Sequence, residues 1–201
     1  DAGAGDRLPP CSLGLRGLAS YSLGLRGLAP CSLGLRGLAP SLRGDDLLCP
    51  SHDFLKKLEE KTGIRPDSAS ALLAAISQCL DTLDSAGCRF ADHALDHGFH
   101  YEGPDKDTDL RILRLWQGAF LTPGEQTHLA SDLLRMLGAE YARRHWVLQL
   151  HIGAQRFTST RLRAVAGPAG GFAAMGNGVD LLSLVRLLDD LDEGPYGLPR
   201  T

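Results

Sequence analysis

The residue whose type and position most favour chemistry is His151. It follows a mostly apolar, β-prone stretch at residues 146–150 and precedes Gly153 and Ala154, whose small size lets a ligand approach the backbone. Histidine can transfer a proton near neutral pH or bind a metal ion. The pattern therefore indicates a site residue, and a buried histidine bonded to a neighbouring carbonyl group is the alternative interpretation.

Two arginines, Arg43 and Arg156, lie near the predicted ends of strands. The planar guanidinium group binds carboxylates through paired hydrogen bonds, so both residues are candidates for holding an acidic ligand. An exposed arginine with a structural role explains each of them equally well on sequence alone.

A cluster of acidic residues and histidines, Asp92, His93, Asp96 and His97, has the spacing of neighbours on one helix face. However, the H-x-H and H-E-x-x-H spacings of metal sites are missing from the sequence, and three such ligands are normally needed. We interpret the cluster as solvated or as support for a neighbouring site, and we predict no metal ligand in this chain.

The elements that would position these residues alternate along the chain. Apolar periodicity predicts helices at 51–61, 67–86, 107–120, 122–144 and 179–192, strands at 88–92 and 146–151, and the start of a strand at 198–201. In the last helix, an apolar face is formed by Leu181, Leu182, Val185 and Leu188. Such alternation favours parallel strands with crossover helices, in which the carboxyl ends of the strands carry the chemistry. The segment between residues 152 and 179 is predicted to be a glycine-rich loop.

The first forty residues differ from the rest. Residues 11–40 consist of three near-identical units of the form C-S-L-G-L-R-G-L-A-P, with two glycines in each. Glycine and proline disfavour both helix and strand, so we expect residues 1–38 to be a disordered, low-complexity segment. Residues 39–201 then form the folded part, which is shorter than the roughly 250 residues of a complete (β/α)8 barrel.

Composition excludes several classes of protein. A hydrophobic content of 43% and a charged content of 22% are typical of a globular chain, and the net charge of -3 gives no case for binding nucleic acid or anionic membranes. No apolar run is long enough to span a membrane. Five cysteines without C-x-x-C spacing favour a reducing compartment, so we expect a cytoplasmic protein.

Several blocks of the sequence resemble the uronate isomerase (glucuronate isomerase) family. They are residues 87–96 (G-C-R-F-A-D-H-A-L-D), residues 137–156 (L-G-A-E-Y-A-R-R-H-W-V-L-Q-L-H-I-G-A-Q-R), residues 167–172 (G-P-A-G-G-F), residues 198–201 (L-P-R-T) and, more weakly, residues 40–45 (P-S-L-R-G-D). The resemblance covers about residues 39 to 201.

The resemblance implies an α/β fold, a partial (β/α)8 barrel of the amidohydrolase type. It also implies interconversion of D-glucuronate with D-fructuronate and of D-galacturonate with D-tagaturonate, with a divalent metal, commonly zinc. His151 matches the family's active-site histidine, Arg43 an arginine near the sugar acid, and Arg156 the arginine of the G-A-x-R turn. The partner implied for the full-length enzyme is a uronate sugar, and self-association into a homo-oligomer is left open.

The sequence departs from the family pattern in ways that bear on activity. Gly44 replaces the usual proline, Phe157 begins a stretch where many members have three asparagines, and the family's metal-binding H-x-H is missing. We therefore expect a uronate isomerase fragment that is inactive alone. A shortened, non-catalytic paralogue acting as a binding or scaffold protein is the main alternative, and a metal-dependent hydrolase of the same superfamily is a third.

Overall fold

The computed structural model describes residues 40–96, 98–167, 172–176, 178 and 180–201. The predicted disorder of residues 1–38, including nearly all of the ten-residue repeats, lies outside these ranges. The described elements, in chain order, are β1 (Leu42–Arg43), α1 (Asp45–Leu48), α2 (His52–Thr62), α3 (Ala69–Ser85), β2 (Phe90–Leu95), α4 (Thr108–Trp116), α5 (Pro123–Arg143), β3 (Val147–Ile152), β4 (Ala154–Arg156), α6 (Thr160–Ala166), β5 (Ala173–Met175) and α7 (Leu181–Asp192).

The first three strands form one parallel sheet in the order β1-β2-β3. Helices α1 to α3 connect β1 to β2, and α4 and α5 connect β2 to β3. The predicted parallel pairing with helical crossovers is therefore confirmed. Arg200 forms an isolated parallel bridge with Val147, so the chain begins to pair again with β3 where the sequence predicted the start of a strand.

The helices begin where their capping residues predict. The side chain of Ser68 accepts a hydrogen bond from Ala71 N at the start of α3, and Thr122 and Glu125 form a reciprocal capping box at the start of α5. The apolar stripe of α3 is buried and consists of Leu72, Ala75, Ile76, Cys79, Leu80 and Leu83. None of the helices in the described ranges is long and apolar enough to cross a membrane.

The two faces of β2 have different surroundings. Ala91, His93 and Leu95 are buried against the helices, whereas Phe90 on the opposite face is half exposed. The predicted strand at 88–92 ends too early, because β2 runs from Phe90 to Leu95. The helix-face spacing suggested for the acidic and histidine cluster is therefore wrong, since Asp92 and His93 both lie within a strand. Alternation in a strand sends these two adjacent side chains to opposite faces of the sheet.

His93 is part of the core rather than of a solvated cluster. Its side chain is completely buried, and Nε2 lies 2.8 Å from the hydroxyl oxygen of Tyr141. Tyr141 stacks on Trp146 with ring centroids 6.0 Å apart, and Trp146 donates a hydrogen bond to Asp84. Burial lowers the pKa of His93 to about 4, so the ring is neutral near pH 7.

The close approach of His93 to Gly44 leads to a stability prediction. A Cβ atom at position 44 would lie 2.2 Å from Cε1 of His93, and that ring is held by Tyr141. We expect Gly44→Ala to lower the free energy of unfolding by about 2 kcal/mol through overpacking, measured by urea denaturation. Gly124→Ala is the control, because a Cβ there meets no atom within 4 Å. Equal stability of the two variants would show that the ring moves freely.

Two features of the C-terminal part differ from expectation. The predicted loop after β3 contains α6 and the strands β4 and β5, which pair antiparallel. In α7, the predicted apolar face is largely exposed at Leu181, Leu182 and Val185, and the buried residues are instead Ser183, Leu187 and Leu191. Packing against α5 decides this orientation, because Gly138 leaves space for the side chain of Leu191.

Candidate active site

The candidate site lies on the face of the parallel sheet opposite α3 and α5. The register aligns Arg43 with Asp92, Asp92 with Gln149, and Ala94 with His151. Laterally aligned residues of parallel strands point to the same face, and so do residues two apart on one strand. Arg43, Asp92, Gln149 and His151 therefore share this face, which we call the open face.

Asp92 links the two predicted site residues Arg43 and His151. Arg43 Nη1 donates a hydrogen bond to Asp92 Oδ2 at 2.5 Å, and His151 Nδ1 lies 2.8 Å from Asp92 Oδ1. Asp92 Oδ1 and His151 Nδ1 are close, but their geometry is not that of a straight hydrogen bond. Among the described residues, Oδ1 has no well-formed hydrogen bond. The arrangement brings together a cation, a carboxylate and an imidazole.

The environment of His151 suits a group that must meet a ligand. Its side chain is 46% exposed, in contrast to the completely buried His93 on the other face. The other ring nitrogen, Nε2, lies 3.2 Å from the amide nitrogen of Gln149. The alternative that His151 is a buried histidine bonded to a carbonyl group is therefore wrong.

Arg43 is already engaged by two carboxylates. Its Nε donates to Asp45 Oδ2 at 2.7 Å, in addition to the bond from Nη1 to Asp92. A second oxygen of Asp45 accepts a hydrogen bond from Ala94 N at 2.8 Å, which ties α1 to β2. These two contacts use Nε and one proton of Nη1, so a substrate carboxylate would have to bind at Nη2 or at the second proton of Nη1 unless one of the two aspartates moved.

Arg156 is held beside this cluster by Asp96. Its Nε and Nη2 donate to the two oxygens of Asp96 at 2.7 and 3.0 Å, a bidentate pairing. The hydrogen bond that Arg156 donates to Asp96 is the main cause that raises the pKa of Arg156, and the charges of Asp96, Asp45 and Asp92 contribute. The predicted substrate-binding role of Arg156 stays a prediction. A substrate carboxylate that bound Arg156 would have to displace Asp96.

The described residues do not form a binding site for the divalent metal that the family resemblance implies. Within the described ranges, no group of three or more histidine, cysteine, aspartate or glutamate side chains is placed to hold a metal ion. His151 and Asp92 offer two such donors, and Arg43 occupies the second oxygen of Asp92. We therefore derive no chemical step through a metal. His97, part of the predicted cluster, lies outside the described residues.

Sequence reasoning missed Asp45 and Gln149 as neighbours of the site. Gln149 is two residues before His151 on the same strand, so period-two alternation was the signal that could have found it. Asp45 follows β1 and starts α1, and its contact with Arg43 and β2 depends on how the helix packs. No spacing in the sequence encodes that contact.

Comparison with known proteins agrees with this architecture. A family model described as glucuronate isomerase matches residues 37–201. The uronate isomerase of Caldanaerobacter subterraneus subsp. tengcongensis is 34% identical over 158 residues, which cover 78% of this chain and 33% of that protein. The uronate isomerase of Serratia proteamaculans is 37% identical over 150 residues, covering 75% of this chain and 32% of that protein. The chain thus spans about a third of the length of these relatives.

Solved structures show the same fold. The crystal structure of uronate isomerase from Thermotoga maritima matches with a TM-score of 0.67 and 22% identity, over 77% of this chain and 35% of that one. Glucuronate isomerase from Caulobacter crescentus matches with a TM-score of 0.63 and 18% identity, over 79% of this chain and 34% of that one. The glucuronate isomerase family model matches residues 37–201, which is most of the chain, and this match shows that the protein belongs to that family.

Proposed function

We propose that residues 39–201 are the central part of a uronate isomerase barrel of the amidohydrolase type. In the proposed reaction D-glucuronate and D-fructuronate interconvert, as do D-galacturonate and D-tagaturonate. The observation that carries this proposal is the cluster of Arg43, Asp92 and His151 on the open face of a parallel sheet, in a chain that matches the family. Exposed polar groups at strand carboxyl ends are where barrel enzymes place their chemistry.

His151 is the group that we propose moves the proton. Isomerisation of an open-chain sugar removes a proton from one carbon and returns it to the adjacent carbon, through an enediol-like state. The imidazole of His151 is half exposed, and a histidine side chain can both accept and return a proton, so it can act in both steps. The Nε2 atom is the proton acceptor, because Asp92 faces Nδ1.

The arginines supply the positive charge that would recognise a sugar acid. A carboxylate distinguishes a uronate from a neutral hexose, and guanidinium groups bind it through directed hydrogen bonds. Arg43 and Arg156 are already balanced by Asp45, Asp92 and Asp96. Substrate binding would therefore exchange one internal carboxylate for the carboxylate of the sugar.

A second candidate, a non-catalytic paralogue that binds a partner or acts as a scaffold, is favoured by one observation. The apolar residues Leu181, Leu182 and Val185 on α7 are more than 60% exposed, which is more typical of a contact surface than of solvent-facing helix. The cytoplasmic location is likewise a proposal; Cys79 and Cys88, both buried thiols outside disulfides, are compatible with a reducing compartment.

The proposal is tested by grafting. Residues 37–201 replace the matching third of the Caldanaerobacter enzyme, and formation of the ketose from D-glucuronate is measured with the parent enzyme as positive control. We expect the graft to form D-fructuronate. The 201-residue chain alone, with zinc or manganese added, should form none, because no described group holds a metal.

Other outcomes would change the proposal. A folded graft without activity on D-glucuronate or D-galacturonate supports the non-catalytic alternative, and hydrolysis of a lactone or an amide by the graft supports a metal-dependent hydrolase. Metal-dependent turnover by the chain alone would contradict the view that the site is incomplete.

A further inference from the structure

We infer that Asp92 is a positioning residue that fixes His151 in the tautomer with its proton on Nδ1. This inference deepens the proposed function, because it names the residue that would prepare His151 to accept a proton at Nε2. Asp92 does not need to touch the substrate for this role. It acts through the imidazole.

Asp92 lies between the guanidinium group of Arg43 and the imidazole of His151. Oδ2 accepts a hydrogen bond from Arg43, which fixes the plane of the carboxylate. Oδ1 is buried, makes no well-formed hydrogen bond among the described residues, and lies 2.8 Å from His151 Nδ1. A buried carboxylate oxygen needs a donor, and a nitrogen at this distance must carry a proton to avoid the repulsion of two lone pairs.

The other ring nitrogen of His151 faces the side chain of Gln149. Nε2 of His151 lies 3.2 Å from the amide nitrogen of Gln149. An amide NH₂ group only donates hydrogen bonds, so Nε2 must offer its lone pair in this contact. Both neighbours thus favour the same tautomer, although they approach the ring from different strands: Asp92 lies on β2 and Gln149 on β3.

The register of β2 and β3 creates the contact between Asp92 and His151. Parallel pairing places Asp92 beside Gln149 and Ala94 beside His151, so Asp92 meets His151 diagonally across adjacent strands. Ala94, directly opposite His151, is too small to block this approach. The opposite side chain, His93, points into the core and cannot replace Asp92 in this role.

The carboxylate of Asp92 changes which tautomer of the His151 imidazole is preferred. In solution a neutral imidazole prefers the tautomer with the proton on Nε2, which could not accept a proton at that atom. A carboxylate at Nδ1 reverses this preference and leaves the lone pair on Nε2. Asp92 therefore determines which nitrogen of His151 faces the sugar as a proton acceptor.

The test reads the ring directly in the whole 201-residue chain. The protein is labelled with ¹⁵N-histidine, the signals of His151 are assigned by their loss in His151→Asn, and the tautomer is read from the nitrogen shifts at a pH where the ring is neutral. We expect the form with the proton on Nδ1 to predominate by about tenfold or more, because the lone pair of an unprotonated Nδ1 would be repelled by the carboxylate oxygen 2.8 Å away. In Asp92→Asn, that preference should be lost.

The controls separate this role from a general effect on structure. Asp96→Asn removes a carboxylate at the end of the same strand that bonds to Arg156 rather than to His151, and it should leave the His151 tautomer unchanged. If Asp92→Asn does not fold, the wild-type spectrum still decides. A wild-type ring with its proton on Nε2, or an unchanged tautomer in folded Asp92→Asn, overturns the inference. Neither result depends on whether the graft is active.

Discussion

In the graft, His151→Asn should lower kcat for D-glucuronate by about 100-fold or more, the usual effect of losing a general acid–base group. Asparagine keeps a polar side chain on the open face but has no nitrogen that can take up a proton near neutral pH. The side chain of His151 is 46% exposed, so the substitution should leave the melting temperature almost unchanged. Steady-state kinetics and thermal unfolding of the same preparation measure both effects.

The matched control is His128→Asn. This histidine lies on α5, its side chain is 37% exposed, and its Nδ1 is 3.5 Å from Asp105, away from the open face. We expect its kcat to equal that of the unmodified graft. An intact kcat in His151→Asn, or a loss fully explained by unfolding, would remove His151 from the chemistry.

The stability of the 201-residue chain should depend on pH through His93. Burial lowers the pKa of this ring to about 4, whereas the unfolded chain has an ordinary histidine pKa of about 6.5. Since the unfolded state takes up a proton more readily, the stabilisation is complete above pH 6.5 and is lost as the pH falls towards 4. The linkage amounts to about 3 kcal/mol over this window.

Urea denaturation between pH 7.5 and 4.5 measures this dependence. His93→Gln keeps a group that can bond to the Tyr141 hydroxyl but does not titrate, so its stability should change much less over the same range. His128→Asn serves as the control for the loss of a histidine outside the core, because the side chain of His128 is 37% exposed. Parallel pH profiles for wild type and His93→Gln would show that His93 is not the group responsible.

Local signals in the sequence were sufficient for most of the helices and for the parallel pairing. The helices predicted at 67–86 and 122–144 depend on residues within a few turns of each other, and both are present as α3 and α5. Position relative to strand ends also located His151 and Arg43, which the register then brings to one face.

Predictions that depended on long-range packing were less successful. The roles of Asp92 and His93 could not be separated without knowing that β2 continues to Leu95. In a strand, adjacent side chains lie on opposite faces of the sheet, whereas the spacing of a helix does not separate them in this way. The orientation of α7 depends on the space that Gly138 leaves for Leu191, a contact between residues far apart in the chain. Apolar periodicity alone selected the wrong face.

One departure from the family pattern has a visible backbone context. Phe157, where the resemblance implies asparagine, has a φ of 59°, in the left-handed region that asparagine tolerates better than an aromatic residue. The guanidinium carbon of Arg163 lies 4.4 Å from the centre of the Phe157 ring. This contact offsets part of the backbone cost, by a cation–π attraction.

The sugar acid is proposed to meet His151 on the open face of the sheet. The most direct measurement is the ¹⁵N-histidine spectrum of the graft with D-glucuronate or D-glucose added, with His151 assigned by its loss in His151→Asn. The proposed site predicts that D-glucuronate shifts the ring signals of His151 and leaves those of His128 in place, while D-glucose shifts neither. Unchanged His151 signals at concentrations of D-glucuronate that saturate turnover would contradict it.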